Sequence, residues 1–256
     1  MHDLDVVLVQ ANQFWENKVG NLDNYSSLLK EVDTCDLIIL PEMFHTGFSM
    51  NVEELGEEME NSIGINWLRQ IASEKKSAIY TSLIIKENNR YYNRGVFVYP
   101  DGQIETYDKR KSFGLAGEDK YFTAGTEKKV LEYKGWKIQL QICYDLRFPE
   151  IARNKIESNL FPTYDVLLYV ANWPEKRNLH WKTLLKARAI ENQCYVIGVN
   201  RVGIDGKDLN YSGDSIVVDA LGNYNSCPPS CENLLKIKLQ KVELDKIRLD
   251  LPFLKD

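Results

Sequence analysis

The feature that most constrains this chain is an alternation of two kinds of segment. Short, nearly unbroken apolar runs, such as LDVVLVQA (4–11), DLIILPE (36–42) and DVLLYVANW (165–173), are separated by stretches with helical spacing. A continuous apolar run too short for a helix reads as a strand buried on both faces. In a chain that mixes such strands with helices, the helices are what cover the sheet.

Followed in order, the alternation runs twice. The first pass takes strand 4–11 and a helix ending at YSSLLKEV within 13–32. DLIILPE follows, then the helix INWLRQIASEKK (65–76), with Ile65, Leu68 and Ile71 on one side. Strands 77–85 and 91–100 come next, with an Asp101-Gly102 hairpin turn and a returning strand QIETYD. The second pass takes strand GWKIQLQIC (135–143), a helix opening at FPEIARNK, and strand 165–173. Helix 178–193 then turns Trp181, Leu184, Leu185 and Ile190 toward the core. Strands 195–200, 212–222 and 233–240 follow, with a turn at Leu221-Gly222-Asn223, and helix 242–251 ends the chain. The pattern β-α-β-α-β-β-β therefore appears twice, without sequence identity between the halves. It predicts an α/β fold: a four-layer α-β-β-α sandwich of two mixed sheets with helices outside. No Pro/Gly/Ser linker divides the chain, so residues 1–256 are expected to form a single domain rather than two in line.

A net charge of −5 argues against nucleic acid as the main partner, since that role usually needs a basic face. No run approaches the ~20 apolar residues that span a bilayer, so no membrane partner is expected. MHDLDVVLVQ has no signal-peptide character, and the expected location is cytoplasmic. The five cysteines, an odd count, read as free thiols. CPPSC (227–231) is too isolated for a four-ligand zinc site, and the three histidines form no H-x-x-x-H pair. Neither metal nor cofactor is expected.

Three polar residues occupy strand ends, where ligands of α/β sheets gather. Glu42 follows DLIILP, Lys109 follows ETYD, and Cys143 ends KIQLQI. Each has a plain reading alone. Glu42 suits a helix N-terminus, Lys109 a solvated charge cluster, and Cys143 the core. Together they suit nucleophilic catalysis. A cysteine attacks as its thiolate, a carboxylate can serve as base, and a lysine favours the thiolate and a later oxyanion. No histidine base lies near Cys143 in sequence. The nearest match to a serine nucleophile elbow, GFSMN (47–51), lacks the last glycine of G-x-S-x-G, which argues against a serine hydrolase.

The blocks LPEMFHTGFSM (40–50), YDKRKSFGLAGEDKYFTAG (107–125), LQICYDLRFPE (140–150), YVANWPEKR (169–177), HWKTLLKARAIENQCYVIGVNRVG (180–203) and YSGDSIVVDALG (211–222) resemble the nitrilase superfamily of carbon–nitrogen hydrolases. The resemblance implies Glu42 as general base, Lys109 as electrostatic stabiliser, Cys143 as nucleophile, and Glu118 as a second carboxylate orienting the lysine. CYDLRFPE with ANWP is most similar to the omega-amidase branch, which implies short monoamides of dicarboxylic acids, 2-oxoglutaramate and 2-oxosuccinamate, as substrates. It also implies a homodimer or larger homo-oligomer. N-carbamoyl amino acid and nitrile hydrolysis use the same triad and stay open, as does a silent scaffold of the same fold.

The Tyr144 N–H is the expected oxyanion donor. Arg147 is the candidate anchor for a substrate carboxylate, with an internal ion pair to Glu150 as the competing reading. Asn172, Trp173, Phe48 and Phe113 are candidate pocket walls, each otherwise core packing. Many relatives read Lys-x-His-Leu-Phe after the catalytic lysine. Here Lys111 replaces that histidine, which predicts an added charge at the pocket rim. Arg188 and Glu191 read as a structural i,i+3 pair, Cys194 as buried, and Cys35 and the CPPSC pair as chemically idle.

Overall fold

The computed structural model describes residues 2–156 and 162–255. Its first half contains β1 (Leu4–Gln10), α1 (Lys18–Leu28), β2 (Leu37–Ile39), α2 (Val52–Leu55), α3 (Ile63–Lys75), β3 (Ala78–Glu87), β4 (Arg90–Val98), β5 (Ile104–Asp108) and α4 (Glu118–Tyr121). The second contains β6 (Val130–Tyr133), β7 (Trp136–Ile142), α5 (Pro149–Ala152), β8 (Val166–Ala171), α6 (Asn178–Asn192) and β9 (Tyr195–Asn200). It ends with β10 (Val202–Ile204), β11 (Asn210–Ser212), β12 (Ile216–Val218), β13 (Tyr224–Ser226), β14 (Asn233–Leu239) and α7 (Lys241–Asp250).

Two six-stranded sheets form, in the orders β14-β1-β2-β3-β4-β5 and β13-β12-β9-β8-β7-β6, with β10 and β11 as a separate hairpin. Both are mixed: β1-β2-β3 and β7-β8-β9 pair in parallel and the outer strands antiparallel. Successive side chains of a strand point to opposite faces, and β1 shows the consequence. Val6 and Leu8 join Ile138, Leu140 and Leu168 between the sheets, while Val7 and Val9 pack with Tyr25, Leu68 and Ile71 of α1 and α3. Each such fully buried side chain contributes about 1.5–3 kcal/mol. The expected layers are present: helix, sheet, sheet, helix. Tyr80 ties the two sheets, its hydroxyl donating to the Gln141 carbonyl at 3.0 Å.

The repeated pattern needs one correction. β14, the last strand of the second pass, crosses over and pairs antiparallel with β1 along its whole length, from Leu4 opposite Leu239 to Gln10 opposite Asn233. The second sheet is completed by β6 and β13, short segments the sequence reading passed over. Strand 212–222 also breaks in two, because Gly213 and Asp214 both take positive φ, +72° and +56°. The helix at FPEIARNK is a single turn, since the Asn154 side chain bonds the Tyr164 and Asn192 carbonyls.

On α6, Trp181, Leu185, Arg188 and Ala189 are buried but Ile190 is 51 % exposed. Nine residues at 100° each set Ile190 opposite Trp181, so its placement toward the core was wrong. Arg188 does pair with Glu191, at 2.8 Å, and also donates to the Leu146 carbonyl at 2.7 Å. Cys194 is fully buried. Among the described residues no helix is long and apolar enough to cross a membrane.

Candidate active site

β3, β4 and β5 form an antiparallel meander, so β5 runs the same way as β2 and β3. The carboxyl ends of β2 and β5 thus lie at one end of the first sheet. The parallel β7 and β8 likewise end together in the second. Glu42, two residues beyond Leu40, joins the two ends: its Oε2 accepts the Asn172 N–H at 2.8 Å, just past β8.

Glu42 is fully buried. Its Oε1 accepts from Lys109 Nζ at 3.0 Å and from Asn93 Nδ2 at 2.8 Å. Lys109, just past β5, also donates to both Glu118 oxygens, at 2.9 and 3.0 Å. Glu118 Oε2 further accepts the Phe113 N–H at 2.6 Å, and Asn93 reaches Glu118 Oε1 at 3.2 Å. One ammonium is held between two buried carboxylates, and a buried amide braces both. Burial alone would depress the lysine; the Glu118 and Glu42 carboxylates outweigh it and hold the ammonium above its ordinary range.

Cys143 follows β7 and opens a short 3-10 turn, Cys143–Arg147. Its φ of +44° is unusual for a residue with a Cβ and costs on the order of 1–3 kcal/mol unless the surroundings enforce it. Asp145 enforces it. Its buried carboxylate accepts the N–H of Ile142 at 3.0 Å, the N–H of Lys111 at 3.0 Å and the Tyr107 hydroxyl at 2.8 Å. This one side chain links the strand end carrying Cys143 to the segment carrying Lys109. Desolvation lifts its own carboxyl to about 6, against the pull of those bonds and of Lys109.

Burial also pushes the Cys143 thiol well above its ordinary range. Glu42 adds to the rise, Lys109 opposes it, and Glu118 adds again. The sequence reading had the lysine favouring the thiolate, but burial and two carboxylates outweigh one ammonium. At neutral pH the sulfur keeps its proton, with the Asn172 carbonyl 4.0 Å away. Tyr144 is the second residue of the turn, where backbone N–H groups lack acceptors within the turn.

Cys143 lines a cleft together with Phe48, Phe113, Tyr144, Arg147, Asn172 and Trp173. Every predicted wall residue is thus brought together, though their polar atoms are partly engaged. Asn172 Nδ2 donates to the Glu42 carbonyl at 2.6 Å, and the Trp173 indole N–H to the Arg177 carbonyl at 2.9 Å. The Arg147 guanidinium lies 4.7 Å over the Trp173 ring and 3.2 Å from His180 Nδ1. Glu150 instead approaches Lys111, at 3.5 Å. The Lys111 ammonium also lies 4.5 Å over the Phe148 ring.

Sequence reasoning missed Asn93, Asp145, Asn200, Arg177 and the β10–β11 hairpin. Asn200 accepts the Trp173 N–H at 2.8 Å and donates to the Trp173 carbonyl at 2.9 Å, fixing the loop after β8. Asp205 and Tyr211 of the hairpin also line the cleft. An available signal was the polar residue inside or ending an otherwise apolar strand, as in YYNRGVFV and YVIGVN.

Fold and site together define a hydrolase of the stacked-sheet α/β class. The chain belongs to the carbon–nitrogen hydrolase family, whose model matches residues 5–248. It is 45 % identical over 222 residues to the omega-amidase YafV of Yersinia enterocolitica, covering 87 % of this chain and 84 % of that protein. It is 34 % identical over 232 residues to the 2-oxoglutaramate amidase of Bacillus subtilis, covering 89 % and 86 %. The crystal structure of XC1258 from Xanthomonas campestris, a CN-hydrolase superfamily protein with an arsenic adduct in its active site, superposes with a TM-score of 0.97. It is 39 % identical, over 100 % of this chain and 97 % of that one. These similarities fall in the omega-amidase-like branch of the nitrilase superfamily.

Proposed function

We propose that this amidohydrolase releases ammonia from short monoamides of dicarboxylic acids, such as 2-oxoglutaramate and 2-oxosuccinamate, through a thioester on Cys143. The observation that carries the reading is the arrangement of one cleft. Cys143 lines it beside the Glu42–Lys109–Glu118 cluster, and Arg147 lines the same cleft with no carboxylate partner among the described residues. The names of the omega-amidase and 2-oxoglutaramate amidase relatives support the substrate class.

In this mechanism Glu42 takes the thiol proton as sulfur attacks the amide carbon. Burial and Glu42 raise the thiol, so the attack needs Glu42 as its proton acceptor. The oxyanion is stabilised by the Lys109 ammonium and the Tyr144 N–H; fixed donors of this kind contribute roughly 2.7–4 kcal/mol each. Glu42 returns its proton to the departing nitrogen, and ammonia leaves. Glu42 then deprotonates a water that opens the thioester, and the acid departs with the thiol restored. Glu118 keeps the lysine aimed throughout, and Phe48 and Phe113 exclude water from the charges.

The test is ammonia release from 2-oxoglutaramate, 2-oxosuccinamate, a carbamoyl amino acid and a simple nitrile. The two oxo-amides are expected to be turned over fastest, with Cys143→Ala inactive. A preference for the carbamoyl compound or the nitrile would move the enzyme to that reaction with the same cluster. No release from any of them would favour a silent scaffold. In the same reading the chain acts as one cytoplasmic domain in a homodimer, supported by the family resemblance; a monomeric mass in light scattering would count against the dimer.

A further inference from the structure

The cleft has a second guanidinium that neither the mechanism nor Arg147 accounts for. Arg177 ends the short turn Glu175–Arg177 that follows Pro174. Its backbone is fixed at both ends, its N–H donating to the Pro174 carbonyl at 2.9 Å and its carbonyl accepting from the Trp173 indole at 2.9 Å. Its guanidinium lies 5.4 Å over the Phe113 ring and lines the cleft. Among the described residues no carboxylate comes within ion-pair distance of Arg177 or Arg147.

Asp205, the carboxylate in the cleft wall, is already engaged. Its Oδ1 accepts the N–H groups of Lys207 and Leu209, at 2.8 and 3.0 Å, and its Oδ2 the Tyr211 hydroxyl, at 2.9 Å. Two planar cations therefore lie over two aromatic faces, Arg147 on Trp173 and Arg177 on Phe113, with Lys207 also lining the cleft. The walls between them are largely apolar, so the field of these charges is weakly screened.

One carboxylate can engage one guanidinium through two parallel hydrogen bonds. Two forks have donors left over. They fit a carboxylate with a further oxygen acceptor beside it, as in a 2-oxo acid, and they repel an ammonium at that carbon. We propose that Arg177 is a specificity-determining residue: with Arg147 it selects monoamides whose carboxylate has an adjacent oxo group and rejects the 2-amino analogues. The inference rests on the amidase reading and names the feature of the substrate that the far end of the cleft recognises.

The experiment compares kcat/KM for three amides of equal length, 2-oxoglutaramate, glutaramate and glutamine, in the intact enzyme, Arg177→Gln and Arg177→Lys. The wild-type order is expected to be oxo, then unsubstituted, then amino. A charged hydrogen bond lost from the complex costs on the order of 10- to 100-fold, so Arg177→Gln should narrow the oxo-to-unsubstituted ratio by about that factor. It should narrow the oxo-to-amino ratio further, by relieving repulsion. Arg177→Lys keeps the charge without the planar fork, so it should retain the rejection of glutamine while losing part of the oxo preference. Ratios unchanged in Arg177→Gln, in a variant with wild-type circular dichroism, would overturn the inference alone. Absence of ammonia release from all three by the wild-type enzyme would overturn the amidase reading and this inference with it.

Discussion

A cysteine that is protonated at rest, buried beside its own base, behaves differently from one held as a thiolate by an adjacent cation. Burial and Glu42 raise the Cys143 thiol, and Lys109 pulls the other way. Replacing Glu42 by Gln removes a negative charge while leaving the ammonium, so the thiol titrates lower and more thiolate is present at a given pH. Glu42→Gln is therefore expected to react faster with iodoacetamide at pH 7–8 than the wild type, while amide turnover falls by at least ~100-fold, the upper part of the usual contribution of a general base being ~10⁴-fold. A slower alkylation in the variant would mean that Glu42 lowers the thiol rather than raising it. The residues legible in the sequence were those whose chemistry is unusual for their place: a carboxylate, an ammonium and a thiol at three strand ends. Asn93, Asp145 and Asn200 were not legible, because they act through backbone N–H and carbonyl groups or through amide contacts that only the fold brings into range.

Elements were legible in proportion to how fully they are buried. β2, β8 and β9 are continuous apolar runs and appear where the pattern placed them. β13 exposes all three of its residues and carries no alternation to read. On α6 the spacing itself decides: Arg188, seven residues from Trp181, falls on the inner face, where its guanidinium donates to the Leu146 carbonyl, and Ile190 falls opposite. The inner face of α6 packs directly on Gly198 of β9. A Cβ at that position would lie 2.5 Å from Leu185 Cδ1 and 2.7 Å from Trp181 Cζ2. Neither neighbour is a free chain end, so Gly198→Ala should cost about 1–3 kcal/mol through overpacking, read as a lower urea midpoint with an unchanged slope. An unchanged midpoint would mean that α6 lifts off β9 at no cost.

At the scale of the molecule, the crossing of β14 decides how the chain must fold. The sequence shows two successive passes of one pattern, which by itself suits two units in line as well as two sheets face to face. Strand pairing is non-local and leaves no mark on a strand's own residues, so the partner of NLLKIKLQ could not be read from the segment. In the structure it covers β1, whose Leu4, Val6, Val7 and Leu8 are at most 2 % exposed, and so joins the last strand to the first. Gln10 extends the join, donating to the Pro228 and Cys231 carbonyls at 2.8 and 2.9 Å and accepting the Ser215 N–H at 2.9 Å. The first half then has no complete sheet of its own, because its edge is closed by a strand from the second. Ending the chain after Glu232 would strip β1 of its seven-residue partner and leave a long apolar edge, the template for aggregation that sheets normally cover. The truncated chain is expected to be insoluble or to lack cooperative unfolding, and the full chain to unfold in one calorimetric transition. A soluble 1–232 chain that still melts cooperatively, or two resolved transitions in the full chain, would show that the halves fold independently and that β14 is an accessory strand.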